Sequence, residues 1–426
     1  MSGLNTTNKS KPMTQEIIDV LIIGAGPSGL SAAIELRKQG VGRVVVLERE
    51  QEAGGIPRHC GHPPFGFREF SRVYTGPQYA MKLVETALVS GVKIALSTTV
   101  VKAKEGGKLL ISNNDGIQEI SARRVIYATG VRETPRSARL ISGKRPIGVI
   151  NTGALQSYVY LKERKPFKRP VIIGTELVAF SAIQTCRHAG IKPVAMIEEA
   201  NNPVARWPVS LFARFTQVPL YLDTKLLSIE GEKRVESVIV EDSNGKQRNI
   251  ECDGVLFTGN FTPESTLARS GHLTIDQGTG GPLVNQYGQC SDPVYFAAGN
   301  LLRPVETAGW SWKEGRQVAN CVAHDLKGDL PHGDLDWNEI QLFSNSPNIK
   351  LFMPQRIALP NDKIGMKHIQ LRFNYRAKGK LVAKDGATIL YEKLMSVYPE
   401  RRVLISINEL IANCKANKLE LEFIEV

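Results

Sequence analysis

The stretch D-V-L-I-I-G-A-G-P-S-G-L, Asp19 to Leu30, decides the reading of this chain. Val20 to Ile23 form an unbroken apolar run, the pattern of a strand covered on both faces in a parallel sheet. Gly24, Gly26 and Gly29 follow at G-x-G-x-x-G spacing. The first permits a tight turn. The second lets the backbone approach a pyrophosphate, and the third lets the next helix pack closely on the strand. Leu30, Ala33 and Ile34 recur at helical spacing, and Gly40 is a helix stop. A second strand, Val44 to Leu47, ends at Glu48, at the distance where a carboxylate holds a ribose 2′-hydroxyl. Together these features predict a dinucleotide site on Gly24, Gly26, Pro27, Ser28, Gly29, Glu48 and Arg49. The plainer alternative is an ordinary glycine-rich turn.

A related pattern recurs further on. Arg169 to Ile173 reads as a strand, followed by G-T-E-L-V-A from Gly174 to Ala179 and a helix running through Cys186. The next strand, Pro193 to Ile197, ends at Glu198. Here Glu176 stands where the motif needs its second glycine. A carboxylate there adds bulk and repels a phosphate of like charge. The fold is therefore expected to persist while NAD(P)H binding is lost.

The 426 residues carry 42% hydrophobic and 23% charged side chains, which fits a globular protein of two or three domains. No apolar run approaches the ~18 residues of a transmembrane helix. Residues 1–16 are polar, lack a hydrophobic signal core and read as a disordered tail. The formal charge of +12 favours acidic partners, anionic lipid or phosphate ligands, or simply aids solubility. No basic run is interleaved with aromatics, which argues against nucleic acid. The six cysteines are scattered, without a C-x-x-C pair or a compact metal cluster.

Between these patterns lies I-P-R-H-C-G-H-P-P-F-G-F-R-E-F, Ile56 to Phe70, which reads as a loop without helix or central strand. His59 and Cys60 are its candidate catalytic residues. With His62 they crowd three ligand types into one turn with no fourth partner, so no metal site is expected. Packing beside a ligand or partner competes with a plain structural loop. Tyr79 to Ser90 is a predicted helix; Val92 to Leu96, Thr99 to Val101 and Arg124 to Gly130 read as strands. From Asp336 the pattern changes. Ile369, Leu371, Phe373 and Tyr375 alternate with polar residues, as do Leu419, Leu421 and Phe423, and Lys384-Asp385-Gly386 signals a hairpin. Docking a partner or covering the nucleotide-binding domain is the use expected of this unit.

Several of these stretches resemble the two-dinucleotide-domain flavoproteins of the pyridine nucleotide–disulfide oxidoreductase superfamily. They are the first glycine motif, the pair Gly54 and Gly55, the A-T-G of Ala128 to Gly130, and Gly299. The segments P-R-H-C-G-H-P-P-F-G, T-G-P-Q-Y-A, A-T-G-V-R-E-T-P-R, N-T-G-A-L-Q and V-I-I-G-T-E-L-V are similar to the α subunits of opine, proline and hydroxyproline dehydrogenases and the B subunit of hydrogen cyanide synthase. The resemblance covers roughly residues 17–330. It implies an α/β fold: an FAD-binding Rossmann-like domain (17–135 and 280–335) with an inserted second dinucleotide-binding-like domain (136–279); the alternation after Asp336 adds a small antiparallel β domain (336–426). The resemblance implies FAD on Gly54, Gly55, Val101, Thr129, Gly130, Gly299 and Asn300, where Asn300 replaces the family's aspartate. The superfamily's redox cysteine pair is absent, as is the cysteine cluster some relatives use for an iron–sulfur centre.

The activity implied is that of an FAD-dependent oxidoreductase, one subunit of an amino-acid, amine or opine dehydrogenase passing electrons to an acceptor other than NAD. Its partners would be a second flavoprotein subunit that oxidises the C–N bond and a small iron–sulfur protein. The rivals are a stand-alone NAD(P)H-dependent reductase, or a non-catalytic subunit with ADP or ATP in place of FAD. The expected location is the cytoplasm, including the periphery of the inner membrane.

Overall fold

The computed structural model describes residues 17–205, 217–304, 306–330, 339–360, 364–399, 401–412, 414 and 417–426. The tail expected over residues 1–16 and the change of character at Asp336 lie outside the described residues.

Strand β1, Ile18–Ile23, lies at the centre of the first sheet. Val20, Leu21 and Ile22 are wholly buried, each contributing about 2 kcal/mol by burial. β1 is flanked in parallel by β2, Val44–Leu47, and by the C-terminal half of Gly116–Tyr127. Lys93–Ala95 extends the parallel sheet beyond β2. Tyr295–Ala297, far away in sequence, closes it by pairing in parallel with Val125 to Tyr127. The N-terminal half of Gly116–Tyr127 turns antiparallel and joins Lys108–Asn113 and Thr99–Lys104 in a meander. The strand expected at Thr99 to Val101 is therefore longer and belongs to this antiparallel extension. Helix α1, Pro27–Lys38, and the long helix Ala308–Asp325 pack together over the sheet.

Two short strands, Val131–Glu133 and Phe261–Pro263, pair antiparallel where the chain leaves and re-enters the first unit. Between them is a five-stranded parallel sheet ordered Leu220–Tyr221, Ala195–Ile197, Pro170–Ile173, Gly254–Phe257, Val149–Asn151. An antiparallel layer covers it, with Val238 and Val240 facing the shared core.

The C-terminal unit is mostly antiparallel. Its five-stranded sheet has Lys418–Glu425 between Glu339–Phe343 and Ala377–Asp385; a three-stranded sheet joins Ile349–Met353, His368–Phe373 and Val403–Ser406. Ile369, Leu371 and Phe373 point into its core, whereas Tyr375 lies beyond the strand and is half exposed. Simple alternation would leave Arg372 in water, yet it is buried, because its face is covered by the first unit. Lys384-Asp385-Gly386 does mark a hairpin, between Ala377–Asp385 and Thr388–Val397. The fold is thus α/β, with a Rossmann-like unit, an inserted unit of the same kind and a small β unit.

The loop reading of Ile56 to Phe70 needs one correction. Ile56–His59 forms a 3₁₀ turn and Phe67–Phe70 a single helical turn. Pro57 is the second residue of the first of these, where its missing N–H costs no bond. No helix among the described residues is long and apolar enough to cross a membrane.

A candidate nucleotide cleft and its closed counterpart

The turn after β1 is shaped by three glycines with different duties. Gly24 has φ +105°, and a Cβ there would stand 2.6 Å from the Ala128 carbonyl oxygen. A Cβ on Gly29 would overlap the Gly24 carbonyl, so only glycine lets α1 sit this close to the strand. Gly26 is different: a Cβ there meets nothing nearer than Gly55 Cα at 4.0 Å. Its backbone is bare toward the cleft. The Gly54–Gly55 pair faces it, with the Gly54 N–H donating to the Ala25 carbonyl at 2.8 Å. Pro27 opens α1, and no side chain among the described residues caps that helix. Its first N–H groups and positive dipole end are left for an anion.

Glu48 is buried at the end of β2. Its carboxylate accepts from the Ala25 N–H at 2.9 Å and the Glu50 N–H at 3.0 Å, which fixes it beside the glycine turn. Arg49 points into solvent near Glu50. Val101 lies half exposed on the antiparallel extension. Thr129 donates to the Glu264 carbonyl at 2.7 Å, and Gly130 has open space where a Cβ would be. Gly299, at φ +79°, lies against Ser28, whose buried hydroxyl lacks a partner among the described residues. Asn300 does not reach outward: its amide bonds to the Glu306 backbone and accepts from the Ser311 hydroxyl. The bare Gly26 backbone and the orphaned Ser28 hydroxyl fit a pyrophosphate at this turn.

The second unit repeats the construction and then fills it. Gly174 has φ +107° and Thr258 follows the adjoining strand as Ala128 does in the first unit. Glu176, ahead of helix Leu177–His188, folds its carboxylate back into the mouth. A Cβ on Gly174 would stand 2.6 Å from its Oε2, and Thr258 Oγ1 donates to it at 3.2 Å. Burial raises the Glu176 carboxyl above the usual range. Arg139, which no sequence motif singles out, lies across the same mouth and donates to the Thr258 and Gly259 carbonyls, each at 2.9 Å. Glu198 accepts from the Thr175 hydroxyl.

The seam between the two units gathers the loop residues. Cys60 donates to Gln156 Oε1 at 3.4 Å, Gln156 donates to Ser181 Oγ at 2.7 Å, and Ser181 Oγ lies 2.6 Å from His62 Nε2. Burial, reinforced by the Glu133 carboxylate, pushes the Cys60 thiol up to about 12, so at neutral pH it is a donor rather than a nucleophile. Burial also lowers His59, with Arg58 adding to the effect. Glu133 is the titratable group that sequence reading missed. It accepts from the Gly153 N–H at 2.8 Å, and burial holds its carboxyl at about 7. Among the described residues no group of three or more His, Cys, Asp or Glu could hold a metal.

The sequence model of the pyridine nucleotide-disulphide oxidoreductases matches residues 18–323. The A subunit of opine oxidase from Agrobacterium tumefaciens (strain Ach5) is 23% identical over 349 residues, covering 73% of this chain and 66% of that protein. This chain thus spans about two thirds of that relative's length. The small chain of glutamate synthase [NADPH] from Escherichia coli (strain K12) is 25% identical over 364 residues, covering 77% and 71%. Among solved structures, T. acidophilum thioredoxin reductase superposes with a TM-score of 0.61 at 23% identity, covering 72% of this chain and 98% of its own. L-proline dehydrogenase from P. horikoshii gives 0.58 at 22% identity, covering 76% and 58%. These two show the fold. The chain belongs to the pyridine nucleotide-disulphide oxidoreductase family.

Proposed function

We propose that this chain is an FAD-dependent oxidoreductase subunit of a hetero-oligomeric amino-acid, amine or opine dehydrogenase, and that it does not use NAD(P)H. The observation that carries the reading is the contrast between two equivalent turns. Gly26 leaves backbone open to a pyrophosphate, while Glu176 and Arg139 occupy the corresponding mouth of the second unit. FAD would supply the electron chemistry. Gly24 to Gly29 would hold its pyrophosphate and Glu48 its adenosine ribose. The long helix Ala308–Asp325 would present its positive end toward the ring. Cys60, neutral and hydrogen-bonded, would pack rather than react.

Two relatives support the multi-subunit part: the A subunit of opine oxidase and, over 68% of this chain, the α subunit of sarcosine oxidase from Rhizobium meliloti (strain 1021). A partner flavoprotein would take hydride from the substrate C–N bond. A small iron–sulfur protein would complete the path to a non-NAD acceptor. Denaturing this chain, purified apart from its partners, and recording the spectrum of the released ligand tests this. A flavin spectrum is expected from this chain. Release of an adenine nucleotide without flavin would replace the reading by that of a non-catalytic nucleotide-binding subunit.

A further inference from the structure

The C-terminal β unit reaches the Gly299–Asn300 turn through Glu306. The Glu306 backbone grips the Asn300 amide from both sides: its N–H donates to Oδ1 and its carbonyl accepts from Nδ2, each at 3.1 Å. Its carboxylate meets three guanidiniums: Arg372 Nη2 at 2.5 Å, Arg303 Nε at 3.6 Å and Arg402 Nε at 3.7 Å. Arg372 comes from the strand His368–Phe373, and Arg402 immediately precedes the strand Val403–Ser406. Glu314 completes the set, accepting from the Gly299 N–H at 2.9 Å and from Arg303 at 2.5 Å. The Glu306 and Glu314 side chains are only 6% and 7% exposed, so each depends on its paired charges. Arg402 also stacks 3.8 Å from the Trp310 ring, at the start of the long helix.

The unit is also attached by contacts that do not involve these arginines. Ala358 exchanges two hydrogen bonds with the Gln286 side chain, at 2.7 and 2.8 Å. The Gln355 N–H donates to the Val284 carbonyl at 3.0 Å. Met353 is wholly buried in the first unit's core. The arginine cluster is an additional link, directed at one turn.

We propose that the C-terminal β unit is a positioning element of the nucleotide cleft, in which Arg372 and Arg402 fix Glu306 and Glu306 fixes the Asn300 turn. The link to a cofactor rests on the FAD reading above; the link to the turn does not. Coupling of this kind is reciprocal. A ligand in the cleft should protect the strand His368–Phe373, and a partner drawing on Arg402 should loosen the ligand.

Hydrogen exchange by mass spectrometry on the full-length protein tests both links, comparing wild type with Arg372→Ala, Arg372→Lys and Arg402→Ala. In Arg372→Ala, peptides covering Gly299 to Glu306 should exchange about tenfold faster and FAD should bind about tenfold more weakly, a typical coupling between sites. β1 should be unaffected, and Arg372→Lys should recover most of both effects. If Arg372→Ala fails to fold, Arg402→Ala, which removes the longer contact, should give the same pattern in milder form. Faster exchange confined to residues 349–426, with the Gly299 turn at its wild-type rate, would overturn the proposal. If the wild type holds no flavin, the FAD reading fails while the exchange data still decide the positioning claim.

Discussion

Glu176 stands in the second unit where Gly26 stands in the first: each immediately precedes the helix that follows a glycine turn of positive φ. One position is bare backbone; the other carries a half-buried carboxylate paired electrostatically with Arg139. A pyrophosphate entering the second mouth would have to break that pair and displace the carboxylate from the turn. NADH and NADPH should therefore not bleach the flavin of the oxidised protein in a stopped-flow experiment. Rapid bleaching by either would show that Glu176 swings aside and that the chain is a stand-alone reductase.

Gly26→Ala should fold normally, because the added methyl meets no protein atom nearer than 4.0 Å, yet bind its ligand more weakly, because that methyl enters the space through which the backbone would approach the pyrophosphate. Gly26→Glu should keep a near-wild-type melting temperature yet lose the ligand, since a carboxylate would then occupy the first cleft as Glu176 occupies the second. Ligand-to-protein ratio after gel filtration reads both, and full retention by the glutamate variant would sink the assignment.

The Glu48 carboxylate holds two backbone N–H groups. Glu48→Ala should cost about 1–3 kcal/mol, the scale of hydrogen bonds to a charged group. The loss should show as weaker binding of the adenosine end in a titration of the ligand-free protein. Unchanged affinity would mean that another group holds the ribose.

Glu133 supplies a pH signature. Its carboxyl is held at about 7 in the folded chain, against an ordinary 4.5. Between these values the folded state keeps a proton that the unfolded state has released. The group's contribution is therefore complete below the lower value and is lost as pH rises through about 7. The span corresponds to roughly 3 kcal/mol. Glu133→Gln removes the titration, so its gain in melting temperature over wild type should widen from about pH 5 to about pH 8 in calorimetry. A constant difference would show that Glu133 ionises normally.

The first cleft was legible because its parts are local: strand, turn, helix and acid fall within 31 residues, Ile18 to Glu48, and each has its own signature. The second mouth was half legible. Glu176 betrays itself by breaking a motif, but Arg139 reaches the mouth from a separate segment beside the crossing strands, and no spacing rule announces it. The antiparallel meander after Thr99 was read short because its strands mix charged with apolar residues. Alternation found two strands of the C-terminal unit, His368–Phe373 and Lys418–Glu425. It gave no sign that Arg372 faces another unit rather than water, since burial of that face depends on contacts made across the fold.

The strand Tyr295–Ala297 also sets an order of events. It is the last piece of the first parallel sheet, whereas the strands of the second parallel sheet all lie between Val149 and Phe257. During synthesis the second sheet is complete while the first still lacks a strand, so the N-terminal unit must wait for a segment that emerges after its own insert. Refolding should retain the same bias. In pulsed hydrogen exchange, amides of Pro170–Ile173 and its neighbours should gain protection before those of Val125 to Tyr127, and the reverse order would show that the first sheet nucleates without its closing strand.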